Sequence, residues 1–408
     1  MSTTPAVASL DRVRSLIHEE LDALVAIRHD LHAHPEIGYE EHRTSGVIRR
    51  ELEAAGVAFV GDLAGGTGVL AHVPGDGDQA IGLRADIDAL PIEEATGLPY
   101  ASTISGRMHA CGHDGHTTVL LGAARVLSRL AKESPLPNPV TFCFQPAEEG
   151  GAGGERMVAD GCLDGSVIGP PVAAMYGLHG WPQLPLGEAG SRPGPLLAAA
   201  DMFSIRIDGD GGHAAAPHLA KDPIVCGSAL VQMLQSLVSR NVDPTDSAVC
   251  SVTTFHAGTA HNIIPGAAAI GGTVRTITEE TRELMKRRLH EAAAGVAAAH
   301  GCTASVDWHD GYPVTRNDPS AWRLAHEILG ETLGSGAVHQ LPSPTMGGED
   351  FAYYGQKVPA CFFFLGLRDP KQETMAQLHQ DTFDFNDDAI PVAIELFCRL
   401  AMTESPSP

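Results

Sequence analysis

Several features are missing from the chain, and each absence narrows what it can be. No apolar run approaches the roughly 20 residues that a membrane-spanning helix needs, so 408 residues, 43% of them hydrophobic, read as a globular protein with no membrane span. The start, MSTTPAVASLDRVRS, lacks the basic opening and apolar stretch of a signal peptide, which points to a cytoplasmic address. Cations are few: 27 Lys and Arg stand against 50 Asp and Glu, for a formal charge of -23. Phosphate backbones are bound by clustered cations, so this balance argues against nucleic acid as a partner. The eight cysteines include no C-x-x-C pair. Seven of them sit mostly among apolar neighbours and read as small buried hydrophobes in a reducing compartment, whereas the neighbours of Cys111 are polar and metal-friendly. No repeat recurs at solenoid spacing, and low complexity is confined to a short SPSP tail. GGTGV at 65–69 lacks the Lys-Ser/Thr of a phosphate loop and reads as a hairpin turn.

A chain of this length exceeds one ordinary core, so two domains are expected. In the first half, apolar runs (GVLAHVPG, AIGLRADIDAL, PVTFCFQP, AAMYGLHG) alternate with helical patterns at 44–55 and 117–130. That alternation predicts an α/β domain with a mostly parallel central sheet. The pattern changes near residue 195. Between 201 and 308 the order strand, helix, strand, strand, helix, strand predicts an inserted ferredoxin-like βαββαβ domain. Helix 319–333, the strand CFFFLG and a closing helix from about Asn386 then return to the first domain. The expected boundaries are 1–196 with 309–408 for the discontinuous α/β domain, and 197–308 for the insert.

Ligand-type residues gather at the ends of several expected strands, where loops of an α/β sheet converge. These stretches are RADID (84–88), HACGHDGH (109–116), FQPAEEG (144–150), GLHG (177–180) and LHQD (378–381). Cys111 and His113, two apart, would project to one side of an extended loop and share a centre. Glu148 and Glu149 follow a buried strand, where packing alone does not call for two carboxylates. As neighbours in a strand-like exit they point apart, so one is free to bind a metal while the other faces substrate. A metal lowers the pKa of a bound water toward about 7, and a nearby carboxylate then moves its proton to a leaving amine. Each group alone has a plainer explanation: a surface histidine, a solvated helix start, an inert thiol. Their coincidence at several independent strand ends does not.

These residues, with RHDLHAHPEIGYEE, LRADIDALPIEE, GGHAAAPH, GTAHNIIP, GGTVRT, MGGEDFAYY and LHQDTFDFND, resemble the amidohydrolase branch of the aminoacylase and carboxypeptidase metallopeptidase family. That branch contains hippurate hydrolases, N-acyl-L-amino acid amidohydrolases and auxin-amino-acid conjugate hydrolases. The resemblance runs from about residue 20 to 395. It implies a dinuclear centre held by Cys111, His113, Glu149, His179 and His379, with Glu148 as general base. It also implies that the insert is a satellite or lid domain used for dimerisation, so a homodimer or higher homo-oligomer is expected. Outside the branch a His-x-Asp motif is usual where this chain has Arg84-Ala85-Asp86. The lost nitrogen ligand is then offset by the Cys111 thiolate, and Asp86 orients a ligand or its loop. His213 is expected to donate to the oxyanion, in some relatives across the dimer interface. Asn262, Arg275 and Gly348 are expected to hold substrate, Arg275 as a fork for a free carboxylate. His218, Gly347 and Glu349 are weaker candidates for shaping the pocket. His29, His32, His34 and Glu36 are read as structural.

The mixed sulfur, nitrogen and oxygen donors fit two divalent ions, zinc or manganese, with cobalt or nickel also admissible. The expected reaction is hydrolysis of the amide bond of an N-acyl-L-amino acid. A dipeptidase or carboxypeptidase with the same metals is the alternative, and an inactive metal-binding scaffold a further one, against which the spare base Glu148 speaks.

Overall fold

A computed structural model describes residues 9–403; the readings of the first eight residues and of the SPSP tail lie outside the described residues. The chain forms two units. The first takes in the chain up to Leu196, Arg316–Ser343 and everything from Asp350 on; the second is Leu197–Thr315 with Pro344–Glu349. The strand Thr303–Tyr312 runs past the border expected at 308, because Tyr312 is still paired with Ala200 in the second unit's sheet.

In the first unit eight strands lie in the order Ala58–Leu63, Gly68–Val73, Val140–Gln145, Ala80–Asp86, Val172–Pro185, Ala360–Arg368, Ala189–Ser191, Val338–Gln340. The four inner strands, Val140–Gln145 to Ala360–Arg368, are mutually parallel. They are buried almost throughout, which is why their sequences are continuous apolar runs rather than alternating ones. Gly68–Val73 joins them antiparallel and pairs in a hairpin with Ala58–Leu63, so GGTGV is a turn as expected. The strand containing His179 continues to Pro185, so GLHG lies within a strand and not at its end.

Helix His113–Glu133 buries Val119, Leu120, Ala123, Val126, Leu127 and Leu130 at the spacing the sequence predicts, and its first turn begins four residues earlier than the apolar pattern does. The early start has a cause in Asp114. This fully buried carboxylate accepts from Arg28 Nη1 at 3.1 Å and lies 2.8 Å from His32 Nδ1, which fastens the helix start to the helix Leu10–His32. Glu36 accepts the Arg43 and Thr44 N–H groups and caps helix His42–Ala55. His32 and Glu36 therefore hold structure together, as expected.

The second unit has an antiparallel four-stranded sheet in the order Ala248–Ala257, Ala267–Thr276, Ala199–Asp208, Thr303–Tyr312. Helices Pro223–Asn241 and Glu279–Ala299 complete the βαββαβ order. Strand Ala199–Asp208 alternates strictly, with Phe203, Ile205 and Ile207 buried and Met202, Ser204 and Arg206 exposed, as one covered face requires. Asp222 caps the first helix by accepting from the Ile224 and Val225 N–H groups, and Pro223 opens it.

Burial alone would push the His32 imidazole down, but Asp114 and then Glu94 carry it from the ordinary 6.5 to about 10. A raised folded-state pKa stabilises the fold fully below the unfolded value and loses that contribution as pH climbs through the folded one. The stability gap between wild type and His32→Gln, measured by urea denaturation, is expected to be widest below pH 6.5 and to close toward pH 10. A gap that is flat with pH would show that the His32 proton does not stabilise the fold.

Candidate metal centre

All parts of this centre belong to the first unit. Gly112, at φ 85°, turns the chain sharply between Cys111 and the first helical residue, His113. The two side chains converge through that left-handed glycine and not through an extended loop, which corrects the geometric basis of the expectation. Gly115 serves packing instead. A Cβ there would lie 2.4 Å from the Phe385 ring, so the first helical turn approaches Phe385 more closely than any other residue would allow.

The ligand-type atoms of Cys111, His113 and His179 all lie within 4.8 Å of one another; so do those of Cys111, Glu149 and His379, and those of His113, Glu148 and Glu149. The five residues expected as ligands, and the expected base, therefore form overlapping groups. Cys111 Sγ is 3.3 Å from His179 Nε2, whose ring faces the Gly180 carbonyl with Nδ1 at 2.8 Å. His113 Nδ1 lies 2.9 Å from the Asp88 carbonyl, leaving Nε2 buried without a hydrogen-bond partner. His379 Nε2 is 3.1 Å from Glu149 Oε1. Each histidine thus turns one nitrogen toward the shared space.

Glu148 and Glu149 sit in a turn and not in the strand-like exit expected, because the strand stops at Gln145 and Ala147 takes φ 52°. A left-handed conformation costs a residue with a Cβ about 1 to 2 kcal/mol. Here it lets two successive carboxylates enter one cluster by different routes. Glu148 is buried, and its Oε1 accepts the Asp350 N–H at 3.4 Å.

Behind the cluster, Asp86 is wholly buried. It accepts from His116 Nδ1 at 2.7 Å and from Arg84 Nη1 at 2.6 Å, and its Oδ2 is 3.6 Å from His113 Nε2. His116 accepts the Gly180 N–H with its other nitrogen at 2.9 Å, which joins Asp86 to the strand carrying His179. Arg84 also donates to Gln145 and Asp350, at 2.9 Å each. The arginine thus cross-links neighbouring strand ends at the position where a histidine is usual outside the branch. Asp88, Gln145 and Asp350 were not singled out from sequence, and His116 stood out only as part of the stretch HACGHDGH. The available signal was Asp88, two residues from Asp86 and so on the same side of the chain.

Electrostatics ask for added positive charge. Burial pushes the Cys111 thiol well above its ordinary value, and Glu149, Glu148 and Asp86 push it further. Burial works against a charge on His113, yet Asp86 and Asp88 lift it to about 10. His179 is driven well down by burial and by His116, which keeps it neutral. A thiol, two imidazoles and carboxylates buried this closely fit a divalent cation, whose charge reverses the repulsion on the thiolate.

The other expected residues belong to the second unit. His213 and Asn262 come together: Gly212–His213 pairs with Ile263–Ile264, and the Ala214 N–H donates to the Asn262 carbonyl at 3.0 Å. Both are exposed. Arg275 is not with them. It is half-buried near the far end of strand Ala267–Thr276, with Nη1 on the Val274 carbonyl at 3.2 Å. Gly348 lies against Ala200, where a Cβ would come within 2.8 Å of the alanine Cβ.

The model of Peptidase family M20/M25/M40 matches residues 82–403, and the chain belongs to that family. It is a hydrolase of amide bonds. Over 380 residues it is 40% identical to the N-acetylcysteine deacetylase of Bacillus subtilis (strain 168), covering 93% of this chain and 96% of that protein. The hippurate hydrolase of Campylobacter jejuni is 37% identical over 395 residues, covering 95% and 99% of the two chains. Among solved structures, the Bacillus subtilis YXEP protein, a dinuclear metal binding peptidase from the M20 family, superposes with a TM-score of 0.80 at 36% identity, covering 94% of this chain and 98% of that one. Among the described residues no helix is long and apolar enough to cross a membrane.

Cys111 belongs to two of the three overlapping groups, so its removal reaches most of the cluster. Cys111→Ala is expected to retain less zinc or manganese than wild type after gel filtration, read by elemental analysis. Equal metal content would take the sulfur out of the centre.

Proposed function

We propose that this enzyme hydrolyses the amide bond of N-acyl-L-amino acids. Two divalent ions would be held by Cys111, His113, Glu149, His179 and His379, with Glu148 as general base and then acid. The observation that carries this reading is Glu148, a buried carboxylate grouped with His113 and Glu149 while its neighbour Glu149 is paired with His379. A binding scaffold needs ligands but no spare base. The names of two relatives, a deacetylase of N-acetylcysteine and a hydrolase of hippurate, share an N-acylated amino acid as substrate.

Divalent ions bound there supply polarisation of the amide carbonyl and acidify a water. The donor set suits zinc or manganese, with cobalt or nickel admissible. Glu148 takes the water's proton on a carboxylate oxygen and returns it to the departing α-amine, so the residue ends as it began. The Asp88 carbonyl fixes the ring of His113 through Nδ1, and Asp86 fixes the ring of His116. Eight unpaired cysteines accord with a reducing, cytoplasmic setting.

The second unit bears on assembly. Arg275 lies eight residues beyond Ala267, where the ribbon carrying His213 and Asn262 leaves the sheet, which is roughly 25 Å of extended strand. One copy of the unit therefore does not bring His213, Asn262 and Arg275 to one small substrate. In the homodimer we propose, Arg275 and Gly348 would hold the free carboxylate in one protomer while His213 and Asn262 would reach the oxyanion from the other. The strand Ala248–Ala257 is an edge with Phe255 40% exposed, beside a helix exposing Val225 at 53% and Ile224 at 38%, an apolar margin suited to such pairing.

Glu148→Ala is expected to keep its metal and lose turnover of benzoyl-glycine and acetyl-amino acids by about 100-fold or more. A dipeptide preferred over every acyl-amino acid by orders of magnitude would move the assignment to a dipeptidase. Co-expressing Glu148→Ala with His213→Ala is expected to restore activity that neither variant shows alone, because mixed dimers keep one intact composite site. Failure of that complementation would place His213 within its own protomer's site.

A further inference from the structure

Glu41 is a fully buried carboxylate that the proposed chemistry does not use. It stands at the N-terminal boundary of helix His42–Ala55 yet does not cap it, since Glu36 already accepts the Arg43 and Thr44 N–H groups. Its oxygens go elsewhere. Oε2 accepts the buried Thr67 hydroxyl at 2.8 Å, and Oε1 accepts the Ala147 N–H at 2.8 Å.

Ala147 is the residue before Glu148, and it holds φ 52°. The turn is gripped from several directions. The Ala147 carbonyl accepts the Gly153 N–H at 3.2 Å, and its Cβ lies so near Gly38 that a side chain there would stand 3.0 Å away. On the far side of Glu148, the Glu149 N–H donates to Asp88 Oδ2 at 2.9 Å. The two amides that bracket Glu148 are therefore each fixed by a buried carboxylate from a different part of the chain. Those parts are themselves joined, because the Ala89 N–H donates to the Glu36 carbonyl at 2.8 Å.

From this arrangement we infer that Glu41 is a positioning residue for Glu148: by reaching the Ala147 amide it holds the left-handed turn that aims the base into the cluster. This rests on the reading of Glu148 as the base. Burial pushes the Glu41 carboxyl up to about 7, and a protonated carboxyl still accepts the Ala147 N–H while donating to Thr67. What matters is reach and an acceptor oxygen, not charge.

Glu41→Gln and Glu41→Asp separate these properties in the metal-loaded enzyme. Glutamine keeps the reach and an acceptor oxygen but no charge; aspartate keeps the charge but falls one methylene short. With a hydrogen bond worth about 1 kcal/mol or more lost to the turn, Glu41→Asp is expected to lower kcat about 10-fold, with KM and metal content unchanged. Glu41→Gln is expected to stay within about threefold of wild type. Wild-type kcat in Glu41→Asp overturns the inference. A fall in Glu41→Gln as deep as in Glu41→Asp overturns it as well, since charge would then be the requirement. So does a loss that appears in metal content or KM instead of kcat, which marks a merely structural residue. Glu148→Gln, run beside them, tells the two levels apart: if it still turns over, the base assignment falls and the positioning role with it, whereas an inactive Glu148→Gln with a full-speed Glu41→Asp rejects the positioning role alone.

Discussion

The pairing of Asp86 with His116 is the contact on which the centre depends. It bonds the end of strand Ala80–Asp86 to the first turn of helix His113–Glu133, and the other nitrogen of His116 grips the backbone of the strand that carries His179. One imidazole therefore sets the spacing between a neighbouring strand pair and a helix. Because Asp86 is wholly buried, it exists as a carboxylate only while His113, Arg84 and His116 stay in place against its desolvation. Removing one partner of such a buried set leaves an uncompensated charge, which costs far more than the pair contributes when intact. The geometry is accordingly stiff where the reacting groups must not drift.

A second consequence concerns Arg84. In place of a metal-binding nitrogen, the strand end carries a cation that ties Asp86, Gln145 and Asp350 together with three directed hydrogen bonds. The guanidinium adds a fixed positive charge beside Asp86, while the Cys111 sulfur lies among His113, His179, Glu149 and His379. A thiolate among imidazoles and carboxylates favours softer divalent ions. Two backbone positions in the left-handed region, Gly112 and Ala147, then deliver side chains from a helix start and from a turn after a strand into the same volume.

Much of this was legible in the sequence, and what was not has identifiable causes. Buried parallel strands write themselves as unbroken apolar runs, so Ala80–Asp86, Val140–Gln145 and Ala360–Arg368 were readable; the strand Ala58–Leu63, half-exposed throughout, leaves no such run. Helix Pro223–Asn241 announced its start through Asp222 and Pro223. The helix that begins at His113 did not, because its first turn is built from polar residues whose stabilising partners, Arg28 and His32, lie some 80 residues away. Ligand residue types survive as local text, whereas the paths by which they converge depend on φ angles at single positions. Residue type alone pointed to Cys111, His113, Glu148 and Glu149, whose atoms lie in overlapping groups, while the extended loop and strand exit meant to bring them there were not found. Glu41 shows the same limit: its use depends on the Ala147 amide, more than 100 residues distant, and nothing next to it in sequence hints at that.

The division of labour between the two units follows from how each is built. A centre that needs buried, desolvated donors requires a layered α/β core, and the first unit supplies parallel strands covered along almost their whole length. The second unit has a smaller core with one sheet face exposed; it buries the Asp201–Arg282 pair, while the polar groups at the ends of its sheet stay open to solvent. Its exposed His213 and Asn262 lie at one end and Arg275 near the other, held apart by a strand of fixed rise. The length of Ala267–Thr276 thus sets the distance between Arg275 and the His213–Asn262 ribbon within one copy of the unit, and a strand two or three residues shorter would shrink it by roughly 7 to 10 Å.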